Sequence, residues 1–515
     1  MKRGAWPRAF TTPTATNVTD DVDANDAVSQ GGVRGLSGSN GRHIGIIGAG
    51  VAGLRSADVL LRAGFEVTVV EGRDRVGGRI HQHRLPNGHE VDVGPNWIHG
   101  AADNPFMDLA RETGTAVCDF DPVTGGVVDE NGALLPVEQG AEYSLAMWML
   151  FEKAFEHSRK HGAEVDPLTS LLDFCQEQVL EILPDTEGDF ERKRRILLQM
   201  CELWGNYVGS PVRNQSLKFF WLEQTIEGEN LFCAGTYRNI LGKIAQPVVE
   251  CANIVYQSHV VEIRGKSTSP NGRVSVVAAD GRVLDFDELI VTAPLGWLKQ
   301  NLRAFHPSLP DRLTRAIRSI GYGSLEKVYI SFPKAFWLTG ERALSGFCHW
   351  LSPNYEPGTN PHRWANESLE LGSLEGPDGH ATLLFYVNGD ESRHITSKVR
   401  SLPEGKEREE FLFSFFKPYY SRLPAYNEGD PDCYPNACMS TDWLGDDLAG
   451  NGSYSNFQVG LEEGDQDIIT MRVGVPEEGI WLAGEHTAPF TALGTVAGAY
   501  LSGENVATRI AAASH

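Results

Sequence analysis

Apolar positions along the chain change period several times, and each change marks an element. Residues 43–47 form a short apolar run, GAGVAG follows as a tight turn, 52–63 repeat apolar positions at helical spacing up to Gly64, and 65–70 form a second apolar run. This order predicts a strand, a helix and a parallel strand. From 142 to 209 the spacing stays helical through EYSLAMWMLFEKAFEHSRK, SLLDFCQEQVLEIL and FERKRRILLQMCELWGNY, with Asp166 expected as the cap before Pro167. Strand alternation returns at 255–263, 273–278 and 288–292, punctuated by the turns SPNGR and DGR, and again at 325–332. The chain closes on the apolar strand IWLAG and a helix over 496–510. Residues 1–40 are rich in Gly, Ser, Thr, Asn and Asp, too polar to offset the entropy of ordering, and are expected to form a disordered tail.

A length of 515 residues calls for at least two lobes. No stretch approaches the run of about 18 apolar residues that crosses a membrane, and the basic start MKRGAWPRAF is not followed by an apolar signal region. A chain without membrane contact is expected. Eight cysteines are scattered without a C-x-x-C pair, which predicts neither a metal site nor a disulfide framework and fits a reducing, cytoplasmic location. The formal charge of −23 argues against nucleic acid as a partner and favours a cationic one through long-range attraction, although acidity also serves solubility alone.

Gly48, Gly50 and Gly53 form G-x-G-x-x-G between a strand and a helix. The first glycine permits the tight turn, the second admits a pyrophosphate to the backbone, and the third lets helix and strand pack; the helix N-terminus then faces the phosphates. Glu71 ends the next strand 23 residues after Gly48, where a carboxylate accepts from ribose hydroxyls. Directly behind it, EGRDRVGGR supplies Gly77, Gly78 and Arg79, a second flexible turn and a cation suited to a diphosphate. The string resembles the GGR signature of FAD enzymes, so FAD is expected over NAD.

Seven motifs extend the resemblance: GIIGAGVAGLRSA, EGRDRVGGR, GPNWIHG, VTAPLGWLK, GSLEKVYISF, NGSYSNF and the WLAGEHT to GTVAGAYLSG stretch occur in the order seen in the flavin amine oxidases. That family includes polyamine oxidases, monoamine oxidases, L-amino-acid oxidases and lysine-specific histone demethylases. The resemblance implies an α/β fold: a Rossmann-like FAD-binding domain from 41–110, 231–295 and 475–512, and a discontinuous α+β substrate-binding domain from 111–230 and 296–474 with a helical insert. It further implies that Gly48, Gly50, Gly53, Glu71, Arg73, Gly78 and Arg79 hold the ADP part, with Val260 offering backbone groups to adenine. Asn96 and Trp97 are placed near the isoalloxazine, Gly484 and Glu485 near the ribityl and phosphate portion, and Thr495 and Val496 under the ring.

Lys327 in GSLEKV resembles the family's active-site lysine, which reaches flavin N5 through a water. A buried ammonium loses charge easily and so handles protons well. Monoamine oxidases carry a flavin-linked cysteine just before an aromatic cage residue, whereas here Ser453 precedes Tyr454, so noncovalent FAD is expected. The other cage position falls on Thr495. The W-I-H-G string resembles animal polyamine oxidases and nominates His99 as a substrate-binding or catalytic histidine whose pKa lies near neutrality. Trp443 and Tyr454 are the aromatic candidates for the substrate slot.

The resemblance implies hydride transfer from an amine to FAD, hydrolysis of the imine, and reduction of molecular oxygen to hydrogen peroxide. A small-molecule amine, foremost a polyamine such as spermine, spermidine or an acetylated form, is the expected substrate. Oxidation of another primary amine or an amino acid stays open. So do a chromatin-associated demethylase, although a long heptad-patterned arm is absent, and a noncatalytic flavoprotein.

Overall fold

A computed structural model describes residues 41–121, 125–183 and 188–513; the expected tail over 1–40 lies outside the described residues. Five strands form a wholly parallel sheet in the order Ile480–Leu482, Glu288–Val291, His43–Ile47, Glu66–Val70 and Asn253–Val255. Parallel strands need a crossover on each step and end up covered on both faces, which is why they read as apolar runs rather than as alternation. Ile44, Ile46, Val67 and Val69 accordingly pack on one side with the helices Val51–Arg62, Arg238–Cys251 and Val496–Ala512, while Ile47, Val70, Leu289 and Val291 pack on the other with Asp311–Ser319 and Gly464–Val473. Strand order and the glycine turn make this a Rossmann-like domain. Its strands come from three separate stretches of chain, so the second lobe is inserted twice.

Close backbone contact fixes the first turn. A Cβ on Gly53 would stand 2.0 Å from the Gly48 carbonyl oxygen, and one on Gly503 would stand 2.2 Å from that of Ala52, so the opening helix lies against both its strand and the C-terminal helix. Ser56 Oγ donates to the Gly503 carbonyl at 3.0 Å across the same seam. The opening helix has Gly50 at its N-cap and no side-chain cap, which leaves its first N–H groups facing outward from the sheet.

The second lobe is built on a six-stranded sheet ordered Ala437–Ser440, Glu326–Ser331, Thr382–Val387, Asn366–Glu370, Phe347–Trp350 and Gly126–Val128, antiparallel except for its last pair. One face, with Val328, Ile330, Phe385 and Trp350, packs on the helices Gly389–Ser401 and Lys406–Tyr420. The other face carries Lys327, Tyr386, Glu367 and His349, then Tyr329, Leu384, Leu369 and Phe347 one step further along. Period-two alternation dictates that division.

The helical lobe consists of Val137–His161, Leu171–Ile182 and Phe190–Glu202 around Trp148, Phe151, Phe155, Trp204 and Phe220. Asp166 does not cap its second helix. Ser170 does, through a capping box in which Ser170 Oγ accepts from the Asp173 N–H and Asp173 accepts from the Ser170 N–H. The reciprocal pair satisfies two otherwise open donors, which outweighs the simple turn that Asp166 makes with the Leu168 N–H. Among the described residues no helix is long and apolar enough to cross a membrane.

Gly53→Ala is expected to lower the unfolding free energy by about 1–3 kcal/mol through overpacking against Gly48. Thermal unfolding checks it, and an unchanged midpoint would contradict the close contact.

Candidate active site

A cavity of about 350 Å³ runs from the first turn of the parallel sheet to the six-stranded sheet of the second lobe. At its nucleotide end lie Gly48, Gly50, Glu71, Arg73, Gly78, Arg79 and Val260; further along come Asn96, Trp97, His99, Gly484, Glu485, Thr495 and Val496; Lys327, Trp443 and Tyr454 complete the wall. Of the cofactor, substrate and catalytic residues expected from the sequence, Gly53 alone stands off the lining, behind the turn that it packs.

The nucleotide end is built from backbone and acid. Gly48 holds φ at 101°, a conformation that favours glycine, and a Cβ on Gly50 would meet nothing within 4 Å, so open space adjoins the middle glycine. The uncapped helix N-terminus opens onto that space. Glu71 accepts from the Ala49 N–H at 2.6 Å and the Arg73 N–H at 2.7 Å, which fixes the carboxylate at the end of its strand. Arg73 forms a two-pronged pair with Asp446 at 3.0 and 2.8 Å. Arg79 donates to Glu485 at 3.1 Å and to the Ser453 carbonyl at 2.6 Å, tying the GGR turn to NGSYSN and AGEHT. Thr495 caps the C-terminal helix, with its Oγ1 accepting from the Gly498 N–H at 2.9 Å, and so directs a second helix N-terminus at the cavity. Glycine turn, two helix N-termini and fixed carboxylates fit a dinucleotide such as FAD.

At the other end Lys327 is 5% exposed on a strand buried along its whole length. Its Nζ donates to the Gly94 carbonyl and lies 5.9 Å from the centre of the Tyr386 ring. Burial drives its pKa below the ordinary lysine range, against the pull of Asp92 and Glu326; burial in turn raises Asp92, whose oxygens accept from Gln82 Nε2 at 2.6 Å and the Tyr237 N–H at 3.0 Å. Glu326, the residue before it, points to the opposite face and grips the loop after the neighbouring strand Ala437–Ser440 through Thr441 Oγ1 and the Leu444 N–H at 2.7 Å. That grip sets Trp443, whose Nε1 donates to the Val93 carbonyl at 3.0 Å. The string GSLEKV thus places one side chain in the cavity and uses its neighbour to hold the wall.

Tyr454 donates to the Tyr207 carbonyl, and Asn96 bridges Tyr329 and Tyr386, each at 3.2 Å. Trp97 stacks on Phe347 with centroids 5.9 Å apart and donates to Tyr386 at 3.0 Å. His99 also lies on the lining, but its pKa is not near neutrality: burial pushes it down to about 4, only partly opposed by the side chain of Asn230. It is a neutral ring at physiological pH.

Sequence reasoning missed Trp148, Trp204, Tyr207, Glu223, Phe347, Glu367 and Tyr386, all of which line the cavity. No motif contains them. Tyr386 and Glu367 reach the site through strand register, and Trp148 and Trp204 through packing of the helical lobe, neither of which is written in a local string.

Because His99 stays uncharged, replacing it with Asn is expected to leave the shape of the pH–rate profile between about pH 6 and 8 unchanged. Loss of a titration step from that profile would show that the ring ionises near neutrality after all.

A family description, flavin containing amine oxidoreductase, matches residues 51–511, and one for pyridine nucleotide-disulphide oxidoreductases matches residues 3–88. The Arabidopsis thaliana protein FLOWERING LOCUS D is 28% identical over 90% of this chain, and probable polyamine oxidase 4 from the same plant is 27% identical over 89%. The chain spans about half, 55%, of the first of these and 84% of the second. A solved structure of a putrescine oxidase variant superposes with a TM-score of 0.65 at 19% identity, covering 92% of this chain and 99% of the other. Its likeness extends to the fold. With 51–511 matched and a dinucleotide cavity beside a buried lysine, the chain belongs to the flavin-containing amine oxidoreductases, and its cofactor is FAD.

Proposed function

We propose that the protein oxidises a polyamine or a related small alkylamine at the end of the cavity that holds Lys327. The observation that carries this reading is the charge of the lining. Among the described residues the arginines on the lining are Arg73 and Arg79, both at the nucleotide end and paired with Asp446 and Glu485, so none stands at the Lys327 end to hold the carboxylate of an amino acid. Aromatic rings of Trp148, Trp204, Tyr207, Phe347, Tyr386 and Tyr454 together with the Glu367 carboxyl suit an alkyl chain bearing positive charge. Polyamine oxidases from Arabidopsis thaliana and Oryza sativa are 26–28% identical to the chain and are covered over 84–86% of their length, which supports the same substrate class.

In this reading Gly48, Gly50 and Gly78 admit the pyrophosphate to the backbone, Glu71 accepts from a ribose, Val260 meets adenine, and Arg73, Arg79 and Glu485 hold the phosphate and ribityl region. Asn96, Trp97, Gly484, Thr495 and Val496 seat the flavin ring, and Ser453 leaves it noncovalent. Bound FAD supplies the hydride acceptor. Lys327 does the proton work: burial favours its neutral form, so Nζ can donate to the Gly94 carbonyl while its lone pair orients a water for imine hydrolysis. Trp443 and Tyr454 wall the slot and exclude bulk water, and the neutral His99 contributes shape and a hydrogen bond rather than a charge. Molecular oxygen is the terminal acceptor, giving hydrogen peroxide. The eight cysteines remain free, which supports a reducing, cytoplasmic setting.

A second reading comes from rice and Arabidopsis lysine-specific histone demethylase homologues, which are 27–28% identical to this chain over 90–94% of it, or 53–54% of their own length. A peroxide-release assay separates the two. Spermine, spermidine, acetylated polyamines or putrescine are expected to give peroxide, whereas methylated lysine peptides and amino acids are not; the reverse order would overturn the reading. Lys327→Met is expected to lower turnover by about a hundredfold or more while leaving FAD bound. Unchanged turnover would remove Lys327 from the mechanism.

A further inference from the structure

A second, much smaller void lies behind the wall of the large cavity. Trp97, His99, Thr495 and Val496 line both spaces and so stand between them, while Ile98, Phe106 and Ala497 close the far side of the smaller one. Its free volume of about 10 Å³ holds roughly one molecule the size of water. Lys327, Trp443 and Tyr454, which wall the amine end, do not border it. Three of the dividing residues, Trp97, Thr495 and Val496, are those that seat the flavin ring in the reading above.

The polar side chains on this wall are already engaged. Asn104 caps the helix Pro105–Thr113: its Oδ1 accepts from the Phe106 N–H at 3.0 Å, and its Nδ2 donates to the carbonyls of His99 and Gly100 at 3.0 and 2.9 Å. Tyr237 donates to the Trp97 carbonyl at 2.7 Å, and Trp97 Nε1 donates to Tyr386 at 3.0 Å. Thr495 Oγ1 donates to the Ala492 carbonyl at 2.7 Å while accepting from the Gly498 N–H. The His99 side chain is hydrogen-bonded to that of Asn230. Phe106 packs on the rings of Tyr237 and Tyr500, with centroids 6.1 and 5.8 Å away, which holds the far side in place. Ile98, Phe106, Val496 and Ala497 add only hydrocarbon side chains. A buried water needs about two to four polar partners, and an apolar void without them stays dry and takes apolar guests.

Size and polarity narrow the guest. An alkylamine is too large, and hydrogen peroxide needs hydrogen-bond partners that these side chains do not offer. Dioxygen is small and needs none. Resting on the oxidase reading above, we propose that this void holds dioxygen beside the flavin seat, divided from Lys327 and the amine by Trp97, His99, Thr495 and Val496. In the step that it serves, two electrons and two protons pass from reduced FAD to dioxygen: each oxygen gains one O–H bond, the O–O link falls from double to single, and oxidised FAD is regenerated. The peroxide, polar and unmatched by the wall, then leaves. Amine and oxygen thus approach the cofactor from separate spaces, and reoxidation does not wait for the amine end to empty.

The test uses the full-length, FAD-loaded protein, reduced with dithionite in the absence of air and mixed with oxygenated buffer in a stopped-flow instrument. Ala497→Leu, which fills the void, is expected to lower the rate constant for reoxidation about tenfold or more, with the limiting rate of flavin reduction by amine changed less than about twofold. Ala497→Gly, which leaves the void open, should reoxidise like the wild type. Crystals of the oxidised wild-type protein held under pressurised dioxygen add a readout independent of turnover and of folding in the variants. Two-atom density against Phe106, Val496 and Ala497 is expected there. An empty void, a water in its place, or unchanged reoxidation in Ala497→Leu would overturn the proposal while leaving the oxidase reading intact. Reduced wild-type flavin that stays reduced in oxygenated buffer would overturn the oxidase reading itself, and this proposal with it.

Discussion

An ammonium group buried on a central strand is the constraint on which the rest of the site depends. Lys327 belongs to a strand whose six residues are all buried, and the desolvation that it suffers favours loss of its proton. Two buried acids lie near enough to oppose that loss, but neither forms an ion pair with it: Asp92 is held by Gln82 and the Tyr237 backbone, and Glu326 by Thr441 and Leu444. The acids are occupied in fixing walls. Lys327 is left with a carbonyl from the nucleotide domain, that of Gly94, which joins the two lobes beside the cavity.

That junction explains why the chain crosses between lobes so often. The parallel sheet requires three distant stretches, and the second lobe fills the gaps with a sheet that turns one face to its own helices and the other to the cavity. Arg79 then ties the GGR turn to NGSYSN and AGEHT, far apart in sequence, by touching both Ser453 and Glu485. The nucleotide-binding turn and the buried lysine therefore line one cavity. Polar contacts made within such a cavity are strengthened to the extent that it excludes water.

The nucleotide half was legible because its chemistry is done by local strings. Gly48, Gly50, Gly53 and Glu71 are fixed by one turn and two strands, and their geometry follows from spacing alone. Lys327 was legible through its motif, which also led to the expectation of a buried ammonium. The amine end was mostly hidden, because Glu367 and Tyr386 depend on which strand lies beside which, and register is not written in either strand. Glu367 misleads further: NESLE alternates polar and apolar residues like a half-exposed strand, yet all five residues are buried. Two expectations failed for physical reasons, Asp166 because a reciprocal capping box forms at Ser170, and the near-neutral His99 because its ring is desolvated.

Direct titration of Lys327 is the measurement closest to the centre of this account. Lysine-labelled protein followed by heteronuclear NMR, with Lys327→Met to assign the signal and to separate it from Lys299, which burial lowers to about 8, would report the proton on Nζ. The account predicts one ε-resonance that titrates well below the ordinary lysine value of about 10.4 and vanishes in the variant. A Lys327 signal titrating with the exposed lysines would contradict it, since a charged ammonium has no lone pair with which to orient a water.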